Sequence, residues 1–564
     1  MIDVLPPGSI LIAGALLTPA LPKLLRNPWL VLLPVLGMIH LWSLPLGFEL
    51  HVEFLGYGLE LVRVDRLSRV FGTVFHIAAF LSAIYAYRES DRGQQVAASV
   101  YAGSAIAGVF AGDLLSLFVM WELTAISSVF LIWGGSGKYA YSAGIRYVAI
   151  QIGSGVLLLA GTVVHYSATG SLAFDHLGLE TAGGPLILFA FGIKAAFPLL
   201  HNWLQDAYPE ASATGAVYLS AFTTKLAIYA LARGFAGTDI LIPIGALMTA
   251  FPIFYAVIEN DLRRVLAYSL NNQLGFMVVG IGIGSELALN GTAAHAFAHI
   301  IYKALLFMSM GAVLTRVGHV RGSDLGGLYR TMPKTALLCM VGAASISAFP
   351  LTSGFVSKSM ILDAAAGEHH LITFLVLLFA SAGVFHHSGI KIPYFAFFAH
   401  DSGERPREAP RHMLIAMGGA AALCIGIGVW PDPLYALLPY PVDYVPYTGS
   451  HVGETLQLLM FSALAFGFLM RSGLYPPELW AVNLDSDWLY RKLLPAAVLR
   501  VRLGTMLLRM LLWGRLQRAL EAGVRALGRS HAPGSGVLGE PWPAGTTAMW
   551  AALLLGLVLV LYYL

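Results

Sequence analysis

The sequence predicts an all-α polytopic membrane protein. Three observations lead there. Of 564 residues, 57% are hydrophobic and only 12% are charged, whereas a soluble domain carries about 25% charged residues. The mean hydropathy is +0.72. Apolar runs of about 20 residues, the length of a helix that crosses a hydrocarbon layer, recur along the whole chain. The short alternating strands of a membrane β-barrel are absent from the pattern. The architecture expected is about 14 core transmembrane helices with two inverted five-helix repeats and broken helices 7 and 12. A C-terminal helix, a lateral amphipathic helix and a final transmembrane helix follow.

The first two helices are expected near 8–24 and 28–48. Ile10 to Leu21 has no basic residue ahead of it, so it reads as a membrane helix rather than a cleaved signal. The polar stretch from His51 to Arg63 reads as a short hairpin. Apolar runs place helices three to six near 65–88, 94–112, 114–134 and 143–167. The seventh, 185–205, is broken at Pro198, because proline removes a backbone donor and clashes with the preceding turn. The eighth to eleventh fall near 212–235, 239–258, 262–284 and 290–316, and the twelfth, 334–366, breaks around Pro350. The thirteenth to fifteenth are expected near 370–396, 411–430 and 453–471.

Grouped into domains, 1–93 holds helices one to three, 94–236 the first repeat and 237–398 the second. Residues 399–475 hold helices 14 and 15, 476–546 the lateral helix and a linker, and 547–564 the final span. The repeat rests on Ala196-Phe197-Pro198-Leu199, which returns as Ala348-Phe349-Pro350-Leu351. Each copy breaks a long helix, and the odd number of helix positions between them inverts their orientation. Paired broken helices of this kind mark transport sites near the midplane.

Loop charges give the orientation. With the N-terminus outside, the cytoplasmic loops carry Lys23 and Arg26, Arg88 and Arg92, Lys138, Arg263 and Arg264, Arg316 to Arg330, and Arg405 to Arg411. The opposite loops carry Asp175, Glu180, Glu286, Glu368, Asp432 and Asp443. This is the positive-inside pattern, and a cell (inner) membrane is the expected location. Asp206 and Glu210 are the exception.

A net charge of +3 is too small to suggest nucleic acid. Cys339 and Cys424 are the only cysteines, which excludes a disulfide framework and argues against a cysteine-ligated cluster or zinc site. There is no glycine-rich phosphate cradle, so no cofactor is expected and no redox or hydrolytic step is assigned to the chain alone.

Charges inside apolar runs carry the functional signal, since a charge in mid-membrane costs roughly 3 kcal/mol on insertion scales. Glu122 stands in the run from Leu115 to Leu131, Lys194 and Lys225 in the seventh and eighth helices, and His201 seven residues after Lys194. A place at the headgroups would also explain Glu122, and snorkelling would explain the lysines. Together they suggest a Glu–Lys pair whose lysine loads and releases a proton as its partner moves. In the eleventh helix His295, His299 and Lys303 recur every four residues on one face. Core histidines held by hydrogen bonds are the plain alternative. A metal site lacks any HExxH pattern or nearby carboxylate. Lys358 follows the break at Pro350, and His386, His387 and Lys391 continue the series. Histidine titrates near neutrality and suits a proton relay.

At these residues the chain resembles a known family. Trp121-Glu122-Leu123, FPLLHNWLQDAYPEAS, DLRRVLAYSLNNQLG, HAFAHIIYKALLF and FPLTSGFVSK look like motifs of the proton-translocating antiporter-like subunits. These occur in Mrp-type multisubunit Na+/H+ antiporters, respiratory complex I and membrane-bound hydrogenases. The resemblance covers about Val62 to Arg411. It implies that Glu122 and Lys194 are the family's pair, Lys225 a bridging residue, Lys303 with His299 the central site and Lys358 the terminal lysine. It also implies membrane-subunit partners and protons moving in the membrane plane. Gln205 and Ser212 stand where the family often has proline. Gln273, where many complex I relatives have histidine, is more like the D-type member of the Mrp antiporters. A cation/proton antiporter component moving H+, with Na+ as the counter-ion, is the leading expectation. The alternatives are a redox-driven pump and an inorganic-carbon uptake complex.

In the tail, Arg491, Lys492, Arg500, Arg502, Arg509, Arg515, Arg518, Arg525 and Arg529 alternate with Leu507, Leu511, Trp513 and Leu516. That pattern predicts a basic amphipathic helix on the anionic inner leaflet. A calmodulin-type target would read similarly. A Pro/Gly linker, HAPGSGVLGEPWPAG, precedes the final helix.

Overall fold

The computed structural model describes residues 5–479, 483–533, 535–539 and 543–564. Parts of the Pro/Gly linker, 534 and 540–542, lie outside the described residues. The chain divides into two units, Met1–Asn483 and Leu484–Leu564.

The first unit opens with α1 (Ser9–Leu17), continued by one 3-10 turn to Ala20. This is shorter than expected, because Pro19 and Pro22 follow at once. α2 (Lys23–Ser43) leads into an antiparallel hairpin, β1 (Phe48–Phe54) and β2 (Tyr57–Val64). Its turn residues Leu55 and Gly56 both have left-handed φ, 52° and 81°, the turn whose twist matches paired strands. The hairpin is therefore longer than the polar stretch suggested. Arg63 pins it by donating to Glu60, Asp175 and the carbonyls of Phe174 and Gly112.

α3 (Arg66–Tyr85), α4 (Arg92–Phe110), α5 (Leu114–Trp133), α6 (Ala140–Thr169) and α7 (Gly184–Lys194) follow. Asp65, Asp91 and Asp113 cap the first three of these by accepting backbone N–H groups, which satisfies donors the first helical turn leaves open. Next come α8 (Asn202–Ala207), α9 (Gly215–Ala221), α10 (Thr223–Gly234), α11 (Leu241–Ile258), α12 (Leu262–Ile283) and α13 (Glu286–Val317). The expected single helix 212–235 is thus interrupted at Phe222. α14 (Pro333–Ile346), α15 (Ser353–Gly367) and α16 (Leu371–Val384) complete this stretch. The expected thirteenth helix is α-helical only as far as Val384; π-helical turns at Phe385–Lys391 and Tyr394–Phe398 carry it on. α17 (Arg411–Val429), α18 (Asp432–Tyr435) and α19 (Gly449–Ser472) close the unit.

Among the described residues eleven helices are long and apolar enough to cross a membrane, and three shorter apolar ones accompany them. α4 and α12 reach span length without that apolarity. α12 carries Arg263, Asn271, Asn272 and Gln273, all buried inside the bundle, so neighbouring protein, not lipid, receives its polar groups. Asp206, the exception to the loop-charge pattern, accepts both donors of Arg146 at 2.7 and 3.0 Å. A local ion pair accounts for an acid on that side.

The two Ala-Phe-Pro-Leu copies share one backbone conformation. Ala196 and Leu199 have φ of 63° and 69°, and Ala348 and Leu351 have 57° and 68°. Residues with a Cβ pay about 1 to 3 kcal/mol each for such angles. Phe197 N–H reaches back to Gly192 O, and Phe349 N–H reaches equally far back to Ala344 O. A second match is invisible in the letters. Leu114 N–H bonds Leu172 O while Phe174 N–H bonds Gly112 O. Leu262 N–H bonds Val320 O while Gly322 N–H bonds Asn260 O, with identical chain spacing.

The second unit holds a π turn (Leu489–Leu493), α20 (Leu494–Ser530) and α21 (Ala544–Tyr563). α20 is one continuous helix of 37 residues. It begins well after residue 476, where the lateral segment was expected to start.

Candidate functional site

The lysines of the apolar runs are buried: Lys194, Lys225, Lys303 and Lys391 are 0% exposed and Lys358 is 1% exposed. A buried ammonium must find acceptors, and each finds them differently.

Lys194 ends α7, and its Nζ donates to Trp121 O at 2.8 Å and Thr124 Oγ1 at 3.1 Å, both on α5. It also sits 4.1 Å from the Trp121 ring centre, a cation–π contact. Trp121 is fixed in turn: its Nε1 donates to Ser154 Oγ at 3.0 Å, which donates to Ala190 O at 2.7 Å. The expected Glu–Lys pair is not closed. Glu122, half-buried, turns its Oε1 to α6, where a Cβ on Gly155 would stand 1.4 Å from it. That Oε1 has no hydrogen-bond partner among the described residues. The lysine reaches α5 on the carbonyl side, one residue before the carboxylate, so the two groups are neighbours without contact. His201 is buried, its ring centre 4.6 Å from that of Phe251 with the planes tilted by 58°.

Lys225 depends on the interruption at Phe222. A helix break frees a carbonyl and an N–H group. Ser220 O accepts from Lys225 Nζ at 2.6 Å, and Thr224 Oγ1 accepts at 3.1 Å. Tyr101 OH on α4 accepts the Thr223 N–H at 3.0 Å and lies 2.6 Å from Thr223 Oγ1. Tyr101→Phe should therefore destabilise the protein by about 1 to 3 kcal/mol, the cost of stranding a buried donor. Thermal unfolding of the detergent-solubilised protein measures it.

Around α13 the polar side chains join. Lys303 Nζ donates to Ser269 Oγ at 2.8 Å. Ser388 Oγ donates to the same oxygen at 2.7 Å, and His387 Nδ1 lies 2.8 Å from Ser388 Oγ. The π turn supplies this: His387 and Ser388 are both buried on it. Nearer the N-terminal end of α13, His295 Nδ1 lies 3.3 Å from Ser357 Oγ, while Tyr302 OH donates to Gln273 Oε1 at 3.0 Å. His299 stands between them, 6.2 Å from the His295 ring and 5.2 Å from the Tyr302 ring. Neither of its nitrogens has a hydrogen-bond partner among the described residues. Lys358 Nζ donates to Ile346 O at 3.1 Å, a carbonyl at the end of α14. It lines a cavity of about 530 Å³ with Asp363, His451 and Glu454. His386 stacks on Tyr475, with ring centres 5.6 Å apart.

Sequence reasoning missed Thr124, Ser154, Thr224, Tyr101, Ser269 and Ser388. Hydroxyls are common in membrane helices, and only their partners mark these ones. It also missed Glu478, which forms a 3.0 Å ion pair with Lys391.

Residues 111–385 match the family described as NADH:quinone oxidoreductase/Mrp antiporter, TM. The D-type subunit of the Na(+)/H(+) antiporter of Alkalihalophilus pseudofirmus is 32% identical over 347 residues, 57% of this chain and 70% of that protein. The chain belongs to this antiporter family. The N-type subunit of the NADH-quinone oxidoreductase of Desulforudis audaxviator is 29% identical over 426 residues, 69% of this chain and 82% of that one. A chain of the Mrp complex from Dietzia sp. DQ12-45-1b has the same fold, with a TM-score of 0.68 at 20% identity, over 82% of this chain and 99% of that one. Membership makes this a multi-pass membrane protein whose relatives are subunits of larger membrane complexes. The family match contains Glu122 and the lysines from Lys194 to Lys358, whereas His386 and Lys391 fall just beyond it.

Proposed function

We propose that this chain is the proton-moving subunit of a multisubunit Na+/H+ antiporter, carrying H+ along Glu122, Lys194, Lys225, Lys303 and Lys358. The observation that carries the reading is the set of buried lysines joined to hydroxyls and histidines, above all Lys303–Ser269–Ser388–His387. Among the described residues each buried ammonium has a hydroxyl or carbonyl to lean on and no carboxylate within ion-pair distance, Lys391 excepted. A lysine held only by neutral acceptors can take up or release a proton when a charged partner moves. A carboxylate that swings toward it tips the balance; Glu122, one residue from Lys194's carbonyl acceptor, is placed to do this. The matched backbone at the two Ala-Phe-Pro-Leu copies supports reading helices 4–8 and 9–13 as inverted repeats with broken seventh and twelfth helices. The basic loops support a cytoplasmic side and an N-terminus outside in a cell (inner) membrane, with α20 on the inner leaflet.

The test is Glu122→Ala in the complete complex reconstituted in vesicles. Proton-coupled Na+ transport should fall by about a hundredfold while the subunit still co-purifies with its partners. Normal transport refutes the role. A second reading, a redox-driven pump, is favoured by the longer stretch shared with the NADH-quinone oxidoreductase relative. Identifying every co-purified subunit separates them: cluster-bearing partners support the pump, small antiporter subunits the first reading.

A further inference from the structure

Lys391 is held unlike the other lysines. Its Nζ donates to Ala256 O at 3.1 Å, Val257 O at 2.6 Å and Glu259 O at 2.7 Å, and stands 3.0 Å from Glu478 Oε1. Both side chains are buried, at 0% and 5% exposed. The carbonyls belong to the open C-terminal end of α11, which ends at Ile258. A lysine capping a helix end would account for them. It would not account for what lies on either side.

On the inner side, the hydrogen-bonded chain from Lys303 through Ser269 and Ser388 arrives at His387, one π-helical turn from Lys391. His387 Nε2 has no hydrogen-bond partner among the described residues. Toward the end of α11, Glu259 Oε2 accepts from Asn483 at 3.2 Å and lies 3.9 Å from Arg264, whose side chain is 34% exposed. Polar groups therefore run from the middle of α13 to a partly exposed arginine, and a compensated ion pair stands across the line. The charged or titratable groups facing the pair are Glu259, Arg264 and Tyr475, with His386 and His387 on the same π turn.

We propose that Lys391–Glu478 is a gate on a branch path from Lys303 through Ser269, Ser388 and His387 to the Arg264 face. The inference rests on the proton-transport reading above. With the pair closed, Lys391 already carries its proton and offers His387 no acceptor. With Glu478 neutralised or withdrawn, the ammonium loses its counter-charge, keeps only the three neutral carbonyls and can hand its proton to water at the Arg264 face. The deprotonated Lys391 takes a proton from the His387 imidazolium, restoring neutral imidazole and an ammonium, and passes it to water at the Arg264 face. Burial pushes the Glu478 carboxyl above its ordinary range, against the pull of Lys391, so mild acid on that face opens the gate first.

The test uses the complete complex in sealed vesicles, with an internal pH dye reporting passive proton leak under an imposed potential. Glu478→Gln should raise the leak by about tenfold or more, and adding Ser388→Ala should return it close to wild type. A tight Glu478→Gln complex, or a leak indifferent to Ser388, overturns the gate. If Glu478→Gln does not assemble, the wild-type complex decides: its leak should rise when the Arg264 face is acidified, and Ser388→Ala should remove the rise. A wild-type leak that does not respond overturns the proposal. Coupled transport measured in the same vesicles separates the two readings. Intact coupling with a tight Glu478→Gln variant sinks the gate alone, and absent proton coupling in wild type sinks the transport reading too.

Discussion

Lys194→Met should lower proton-coupled transport by about a hundredfold or more in a complex that assembles normally. The reason lies in what surrounds the ammonium. Trp121 O also accepts from Thr124 Oγ1 at 2.7 Å, so the carbonyl keeps a partner when Lys194 leaves. Methionine is unbranched, adapts to irregular space and keeps a contact with the aromatic ring. The lost cation–π contact costs up to about 2 kcal/mol, and relief of a buried charge offsets it. Stability therefore stays near wild type while the proton site disappears. Transport assays on vesicles, paired with a native gel for assembly, measure both. A Lys194→Met complex that transports at the wild-type rate removes Lys194 from the path.

Gly354→Ala should do the opposite and damage the protein itself. A Cβ at Gly354 would stand 1.8 Å from Ser345 O. That oxygen belongs to the main chain of α14, so it cannot rotate away as a side chain could. Gly354 lies one turn before Lys358 on α15, where the chain has just turned back past the strained Ala348 and Leu351. Parting the two segments should cost about 3 kcal/mol or more, seen as a lower unfolding temperature and less assembled complex. Gly153→Ala on α6 is the control. Nothing lies within 4 Å of its added Cβ, so replacing a mid-helix glycine should be neutral or stabilise by up to about 1 kcal/mol. Equal behaviour of the two variants would contradict the close approach at Gly354.

How much of the site was legible varies from residue to residue. Lys194 and Lys303 announce themselves, because a charge amid leucines and alanines is expensive and conspicuous in one dimension. The spacing of His295, His299 and Lys303 is equally readable, since a helix repeats its faces every three to four residues. The break at Pro198 is readable from the ring itself. The interruption at Phe222 is not: no glycine or proline marks it, and it exists because Tyr101 and Lys225 take up the groups it frees. The π turn holding His387 and Ser388 is hidden too, although Gly389 lies within it. An extra residue per turn leaves no compositional trace.

By itself the sequence determined the membrane class, the helical periodicity, the places where prolines stop helices and the presence of buried charge. Those depend on each residue's own cost in hydrocarbon or in a helix, which its neighbours in space barely alter. Only the tertiary structure decided that Lys194 leans on α5's backbone and not on Glu122, that Ser269 receives both Lys303 and Ser388, and that Lys391 meets Glu478. Hydrogen bonds and ion pairs act over a few ångströms, and here they join side chains far apart along the chain. Such partners are chosen when the helices come together, not when they form.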